Sequence, residues 1–100
     1  MTYELAFLES ALKKWRKLAA PIRDQFKTKL RERLLAPHVP SARLQAMPDC
    51  YKIKLRAAGY RLVYQVDDRV VLVTVVAVGK RDKGLVYLSA GKRIERGRRR

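Results

Sequence analysis

Tyr51-Lys52-Ile53-Lys54-Leu55-Arg56 alternates apolar and cationic residues without a break. Successive side chains of a strand point to opposite faces, so the stretch predicts a strand with Tyr51, Ile53 and Leu55 in a core. Lys52, Lys54 and Arg56 then emerge together on the other face. After a short turn containing Gly59, residues 60–67, opening with Tyr60-Arg61-Leu62-Val63-Tyr64, predict the second strand of a hairpin. Burying Tyr60, Leu62 and Tyr64 beside Ile53 and Leu55 fixes the phase of pairing, because a one-residue slip would exchange the faces. In that phase Arg61 joins Lys54. Like charges set side by side on a sheet repel. A solvated outer face is the plain reading of one such strand, and a bound anion is the functional one.

Working outward, Asp67-Asp68 supplies a turn into a strand over 69–79, where Val70 to Val78 is apolar on both parities. That pattern predicts a strand covered on both faces and central in its sheet. Ahead of the hairpin, residues 2–7 predict a short strand. Leu8, Ala11, Leu12, Trp15 and Leu18 follow at helical spacing, with Trp15 as a core anchor. Pro21 restarts the chain into a second helix marked by Ile22, Phe26, Leu30 and Leu34, which Pro37 ends. The two helices predict an antiparallel hairpin. Residues 37–49 are loop-like, with a brief strand expected at Ala42 to Leu44. Residues 85–95 suggest a short helix weakened by Gly84 and Gly91, and a basic tail runs from Arg96. The expected fold is α+β: one compact domain over 1–95 followed by a disordered tail over 96–100. Its sheet is mainly antiparallel, of four to five strands, packed by the N-terminal helical hairpin.

One hundred residues carry 24 Lys and Arg against nine acidic residues, a formal charge of +15. So strong a positive field attracts polyanions, which ranks nucleic acid first as partner, an acidic protein second and a membrane surface third. Cys50 is the single cysteine, so neither an internal disulfide nor a zinc cluster can be built, and it reads as a small buried hydrophobe. The N-terminus has no signal-peptide pattern, and the expected location is the cytoplasm. His38 is the single histidine, which excludes a paired-histidine ribonuclease. The carboxylates lack metal-binding spacing, so neither a metal nor another cofactor is expected. RNA still permits metal-free cleavage, since its own 2′-hydroxyl can attack the neighbouring phosphate. Lys and Arg can stabilise the charge that grows there. A lysine base is harder, because its neutral form is disfavoured by roughly 4.6 kcal/mol at pH 7 for a reference pKa of about 10.4. Crowding among Lys52, Lys54 and Arg61 lowers that cost.

Several segments carry a resemblance: Met47-Pro48-Asp49-Cys50-Tyr51-Lys52-Ile53-Lys54-Leu55-Arg56, Gly59-Tyr60-Arg61-Leu62-Val63-Tyr64-Gln65-Val66 and Val78-Gly79-Lys80-Arg81. With Leu12-Lys13-Lys14-Trp15-Arg16-Lys17-Leu18 before them and Tyr87 after, they closely resemble the RelE toxins of bacterial toxin-antitoxin modules. The resemblance implies an mRNA interferase that enters the ribosomal A site and cuts the codon there, leaving a 2′,3′-cyclic phosphate and a 5′-hydroxyl. By the same resemblance Lys52 and Lys54 are base or phosphate stabilisers, Arg61 is a transition-state cation, Arg81 is acid or leaving-group stabiliser, and Tyr87 stacks on a base. Lys13, Lys14, Arg16, Lys17, Arg56 and Lys80 are the expected RNA and ribosome contacts, 16S rRNA included. The implied partners are the ribosome, mRNA and an acidic RelB-like antitoxin, with operator DNA reached only through the antitoxin complex. Two departures stand out: Gln45 where a close relative would carry Arg, and the Arg-rich end. The competing readings are a non-catalytic basic RNA-binding module and a gyrase-poisoning relative of the same fold.

Overall fold

The computed structural model describes residues 2–80. The expected helix over 85–95, the basic tail from Arg96, and the candidate residues Arg81 and Tyr87 lie outside the described residues. In chain order the elements are β1 (Glu4–Phe7), α1 (Glu9–Lys17), α2 (Ala20–Leu35), a 3-10 turn (Pro40–Ala42), β2 (Cys50–Leu55), β3 (Tyr60–Asp67) and β4 (Leu72–Lys80). Among the described residues the strands form one sheet in the order β1-β4-β3-β2. β4 is internal, as its apolar run on both parities predicts. It runs parallel to β1 and antiparallel to β3, which is antiparallel to β2.

Both helices put their apolar stripes on one side of this sheet. Ala11 and Trp15 of α1, with Phe26 and Leu30 of α2, form a core with Tyr51, Ile53, Leu55, Leu62, Tyr64, Val66, Val73, Val75 and Val78. Trp15 lies between Phe7 and Phe26, with ring centres 5.2 and 6.2 Å away, and so joins β1, α1 and α2. α1 rests on β4 and α2 on β2. The opposite face carries a smaller cluster of Met47, Cys50, Val63, Val76 and Ala77. A register shift between Val63 and Tyr64, which pair with Ala77 and Val75, leaves Val76 as an extra residue on β4. Pro21 sits in the first turn of α2, where a missing N–H costs nothing, and the helix stops at Leu35, two residues before Pro37.

Two expectations shift. The strand expected from residue 69 begins at Leu72, because the Asp67 carboxylate accepts the Arg69 N–H at 3.0 Å and prolongs the turn. Val71 adopts φ 55° there, a left-handed conformation incompatible with strand. The brief strand expected at Ala42 to Leu44 reduces to a single bridge between Arg43 and Tyr51, since Pro40 opens a 3-10 turn immediately before it.

A polar cluster ties the β3–β4 turn to the body. Asp68 Oδ1 accepts the Tyr3 hydroxyl at 2.7 Å and lies 2.8 Å from His38 Nε2, while His38 Nδ1 lies 2.9 Å from the Tyr51 hydroxyl. Hydrogen bonds from Tyr3, then His38, hold the Asp68 carboxyl below its ordinary value of 3.8. A lowered carboxyl pKa favours folding once the unfolded group is ionised. That contribution is complete above 3.8 and is lost as pH falls through the folded value. Asp68→Asn is therefore expected to flatten the acid limb of stability against pH, measured by urea unfolding from pH 7 downward. An unaltered acid limb would show that this cluster contributes nothing to it.

Candidate functional site

The same alternation that buries Ile53 and Leu55 presents Lys52 and Lys54 on the sheet face away from the helices. β2 and β3 pair with Lys54 opposite Arg61, Lys52 opposite Val63 and Ile53 opposite Leu62. The phase deduced from burial is thus the phase found, and Arg61 stands directly across from Lys54 and diagonal to Lys52. The Leu44 N–H donates to the Cys50 carbonyl from the outer side of β2 at 2.9 Å, so the carbonyls of Cys50, Lys52 and Lys54 all point outward. Lys54 and Arg61 therefore form a pair without mutual backbone hydrogen bonds, the closer kind in an antiparallel ladder, at about 4.5 Å between Cα atoms.

This proximity acts on Lys54. Its ammonium is held below the ordinary lysine value of 10.5, first by the charge of Lys52, then by desolvation, by Arg61, by a hydrogen bond with Lys52 and by Arg56. Every electrostatic cause is another member of the predicted patch. The lysine whose ammonium is disfavoured by its neighbours thus lies beside two further cations on the same face of the hairpin.

Lys54, Leu55, Arg56, Gly59, Tyr60 and Arg61 line a concavity of about 330 Å³ at the tip of the β2–β3 hairpin. The turn that closes it needs Gly59, which takes φ 71° while its N–H donates to the Leu55 carbonyl at 2.9 Å. Lys52, Lys54 and Arg61 are half-buried and Arg56 is exposed at the rim. Lys80, exposed at the end of β4, pairs with Tyr60 at the same end of the sheet. Lys13, Lys14, Arg16 and Lys17 are exposed on α1, in the helical layer, and form a patch apart from the strand cations. Gln45 is exposed in the loop before β2. Among the described residues no group of three His, Cys, Asp or Glu side chains could hold a metal. No described helix is long and apolar enough to cross a membrane.

One residue at the site escapes sequence reasoning. Arg33 of α2 donates to the Lys52 carbonyl at 3.2 Å and to the Tyr64 hydroxyl at 2.9 Å. It flanks the buried stripe of its helix, where a cation ordinarily reads as solvated. No spacing in the sequence links it to a strand nineteen residues away.

Residues 5–84 match the family described as the ParE toxin of type II toxin-antitoxin system, parDE. The chain is 56% identical over 94 residues to the mRNA interferase toxin RelE of Escherichia coli strain K12, covering 94% of this chain and 99% of that one. A doubly substituted E. coli toxin RelE in the free state superposes with a TM-score of 0.87 at 55% identity, over 94% of this chain and 99% of that one. The toxin of the intact E. coli RelBE toxin-antitoxin complex gives 0.78 at 56% identity, over 81% of this chain and 99% of that one.

Replacing Lys52 by Met removes the largest cause of the Lys54 shift. In a side-chain NMR titration Lys54 is expected to titrate below ordinary lysine in the parent chain and to move back up in Lys52→Met. An unshifted Lys54 in the parent would contradict the crowding of these charges.

Proposed function

Because the chain belongs to the RelE/ParE family of toxins from type II toxin-antitoxin modules, we propose that it is a ribosome-dependent mRNA interferase. The observation that carries the mechanism is the placement of Lys54 directly opposite Arg61 at the mouth of one concavity, where crowding by neighbouring cations disfavours its ammonium. Neutral Lys54 Nζ takes the proton of the RNA 2′-hydroxyl as that oxygen attacks the adjacent phosphorus. Lys52 and Arg61 offset the negative charge growing on the phosphate oxygens. The bond to the 5′ oxygen breaks, leaving a 2′,3′-cyclic phosphate, and Arg81 protonates or stabilises the departing 5′ oxygen. Tyr87 stacks on a base and orients it, an interaction of about 1–3 kcal/mol per base.

None of these groups is a strong base at neutral pH, so the reaction depends on RNA held in line for attack. The ribosomal A site supplies that alignment. Exposed cations of α1 (Lys13, Lys14, Arg16 and Lys17), together with Arg56 and Lys80, meet ribosomal RNA and mRNA phosphates. A formal charge of +15 suits both that surface and an acidic RelB-like antitoxin, through which operator DNA is reached. The site of action is the cytoplasm, the toxin domain spans 1–95, and residues 96–100 form a basic tail.

The family description names ParE, which keeps a gyrase poison as a second reading. Retention of Lys52, Lys54, Arg61 and Arg81 argues against it. DNA damage without mRNA cleavage in producing cells would reverse that order.

Single-turnover cleavage on programmed ribosomes is the test. Lys54→Met is expected to slow it by about 10²–10⁴-fold, the usual worth of a general base, with ribosome binding retained. In the parent chain the rate is expected to rise with pH and level off below the ordinary lysine range, as Lys54 loses its proton. Cleavage by Lys54→Met at the parent rate would remove Lys54 from the mechanism.

A further inference from the structure

Lys52, Lys54 and Arg56 repel one another along an edge strand, the part of a sheet most free to yield. β2 has a strand neighbour, β3, on one side. Its other side is gripped at successive outward carbonyls: Cys50 by the Leu44 N–H at 2.9 Å, then Lys52 by the Arg33 guanidinium at 3.2 Å. Arg33 comes from the last turn of α2, in the helical layer. The same Nη1 nitrogen donates its second hydrogen to the Tyr64 hydroxyl at 2.9 Å. Tyr64 is fully buried and donates in turn to the Pro37 carbonyl at 2.7 Å, and the guanidinium carbon lies 5.7 Å from its ring centre. One half-buried cation thereby joins helix, core and edge strand at the residue where the crowded charges begin.

We infer that Arg33 is a positioning residue for the cation site: by tying the Lys52 carbonyl to Tyr64 and α2 it fixes the twist of β2, and with it the spacing of Lys52 and Lys54 from Arg61. Pairing with β3 sets which residues face each other. The grip on the outer edge sets how far the strand can swing under the repulsion it carries. Arg33 acts through the backbone, from the opposite layer. A competing account makes it only a favourable charge at the C-terminus of α2, which would affect stability alone.

The inference rests on the strand cations being the cleavage machinery, so the experiment has two arms. In the kinetic arm, Arg33→Met is expected to lower kcat on programmed ribosomes by about 10- to 100-fold, the scale of a small misplacement of reacting groups, at unchanged KM. Arg33→Lys, whose ammonium can donate to the same two oxygens, is expected to restore most of the loss. Tyr64→Phe, which removes one anchor, should lower kcat in the same direction and by less. Parent-like kcat in Arg33→Met overturns the inference, and so does a loss that appears in KM, which would mark Arg33 as an RNA contact. A loss that tracks urea stability and is not rescued by Lys also overturns it. If Arg33→Met does not fold, parent-like kcat in Tyr64→Phe overturns it instead.

In the second arm Lys54 is titrated by NMR without ribosomes. Its depression comes first from Lys52, then from desolvation, from Arg61 across the hairpin and from Arg56 on its own strand side, with no contribution from Arg33. It should relax toward the ordinary lysine value in Arg33→Met and persist in Arg33→Lys. A value unchanged by Arg33→Met overturns the positioning role even if the parent chain cuts no mRNA, a result that would count separately against the proposed function.

Discussion

Repulsion among Lys52, Lys54, Arg56 and Arg61 is the constraint around which the fold is arranged. Two unit charges 4 Å apart repel by about 1 kcal/mol in bulk water and about 4 kcal/mol at a typical protein-surface dielectric. Left alone, such a hairpin would splay or slip by one residue. A slip would put Lys52 and Lys54 into the helical layer, and the cost of burying two ammonium groups there exceeds the repulsion it relieves. Ile53, Leu55, Leu62 and Tyr64 hold the phase from beneath, each fully buried aliphatic side chain contributing about 1.5–3 kcal/mol. Three such aliphatic side chains and the buried Tyr64 ring oppose the mutual repulsion of the cations above them.

The two faces of the hairpin therefore have separate tasks. The helix side is a core built by Trp15, Phe26 and Leu30 against the sheet, and it supplies the free energy. The other side uses that free energy to keep charges together that would otherwise separate, and the lowered pKa of Lys54 is the visible consequence. β4 makes this possible by being apolar on both parities, giving the sheet an interior strand from which β3 and β2 extend to the edge.

Much of this was legible in the sequence because it rests on period-two and period-3.6 patterns. The alternation from Tyr51 to Arg56 gave the strand, the burial phase gave the pairing of Lys54 with Arg61, and Val70 to Val78 gave an interior strand. Boundaries set by single backbone conformations were not legible: φ 55° at Val71 delays β4 until Leu72, and β-branched valine carries no signal for such a turn. Arg33 was equally hidden, since its role comes from a side chain reaching across layers to a backbone carbonyl. Tyr87 entered through family resemblance alone, as neither spacing nor charge singles it out, whereas Arg81 was also suggested by the small residues Ala77 and Gly79 that precede it.

On the proposed mechanism, the weakness of a lysine base means that alignment must come from elsewhere. Crowding lowers the cost of neutralising Lys54 but leaves it a lysine with solvent access. Holding reacting groups in line can supply about 7–11 kcal/mol of a barrier, more than the roughly 4.6 kcal/mol that deprotonating an ordinary lysine demands at pH 7. Under the proposed mechanism, a toxin with cations to stabilise the transition state and only a weak base is expected to be slow on free message and fast where a codon is already presented. Such a division would confine the damage to translating ribosomes. Under the same mechanism, small displacements of Lys52 and Lys54 are costly, since a weak base depends on good geometry.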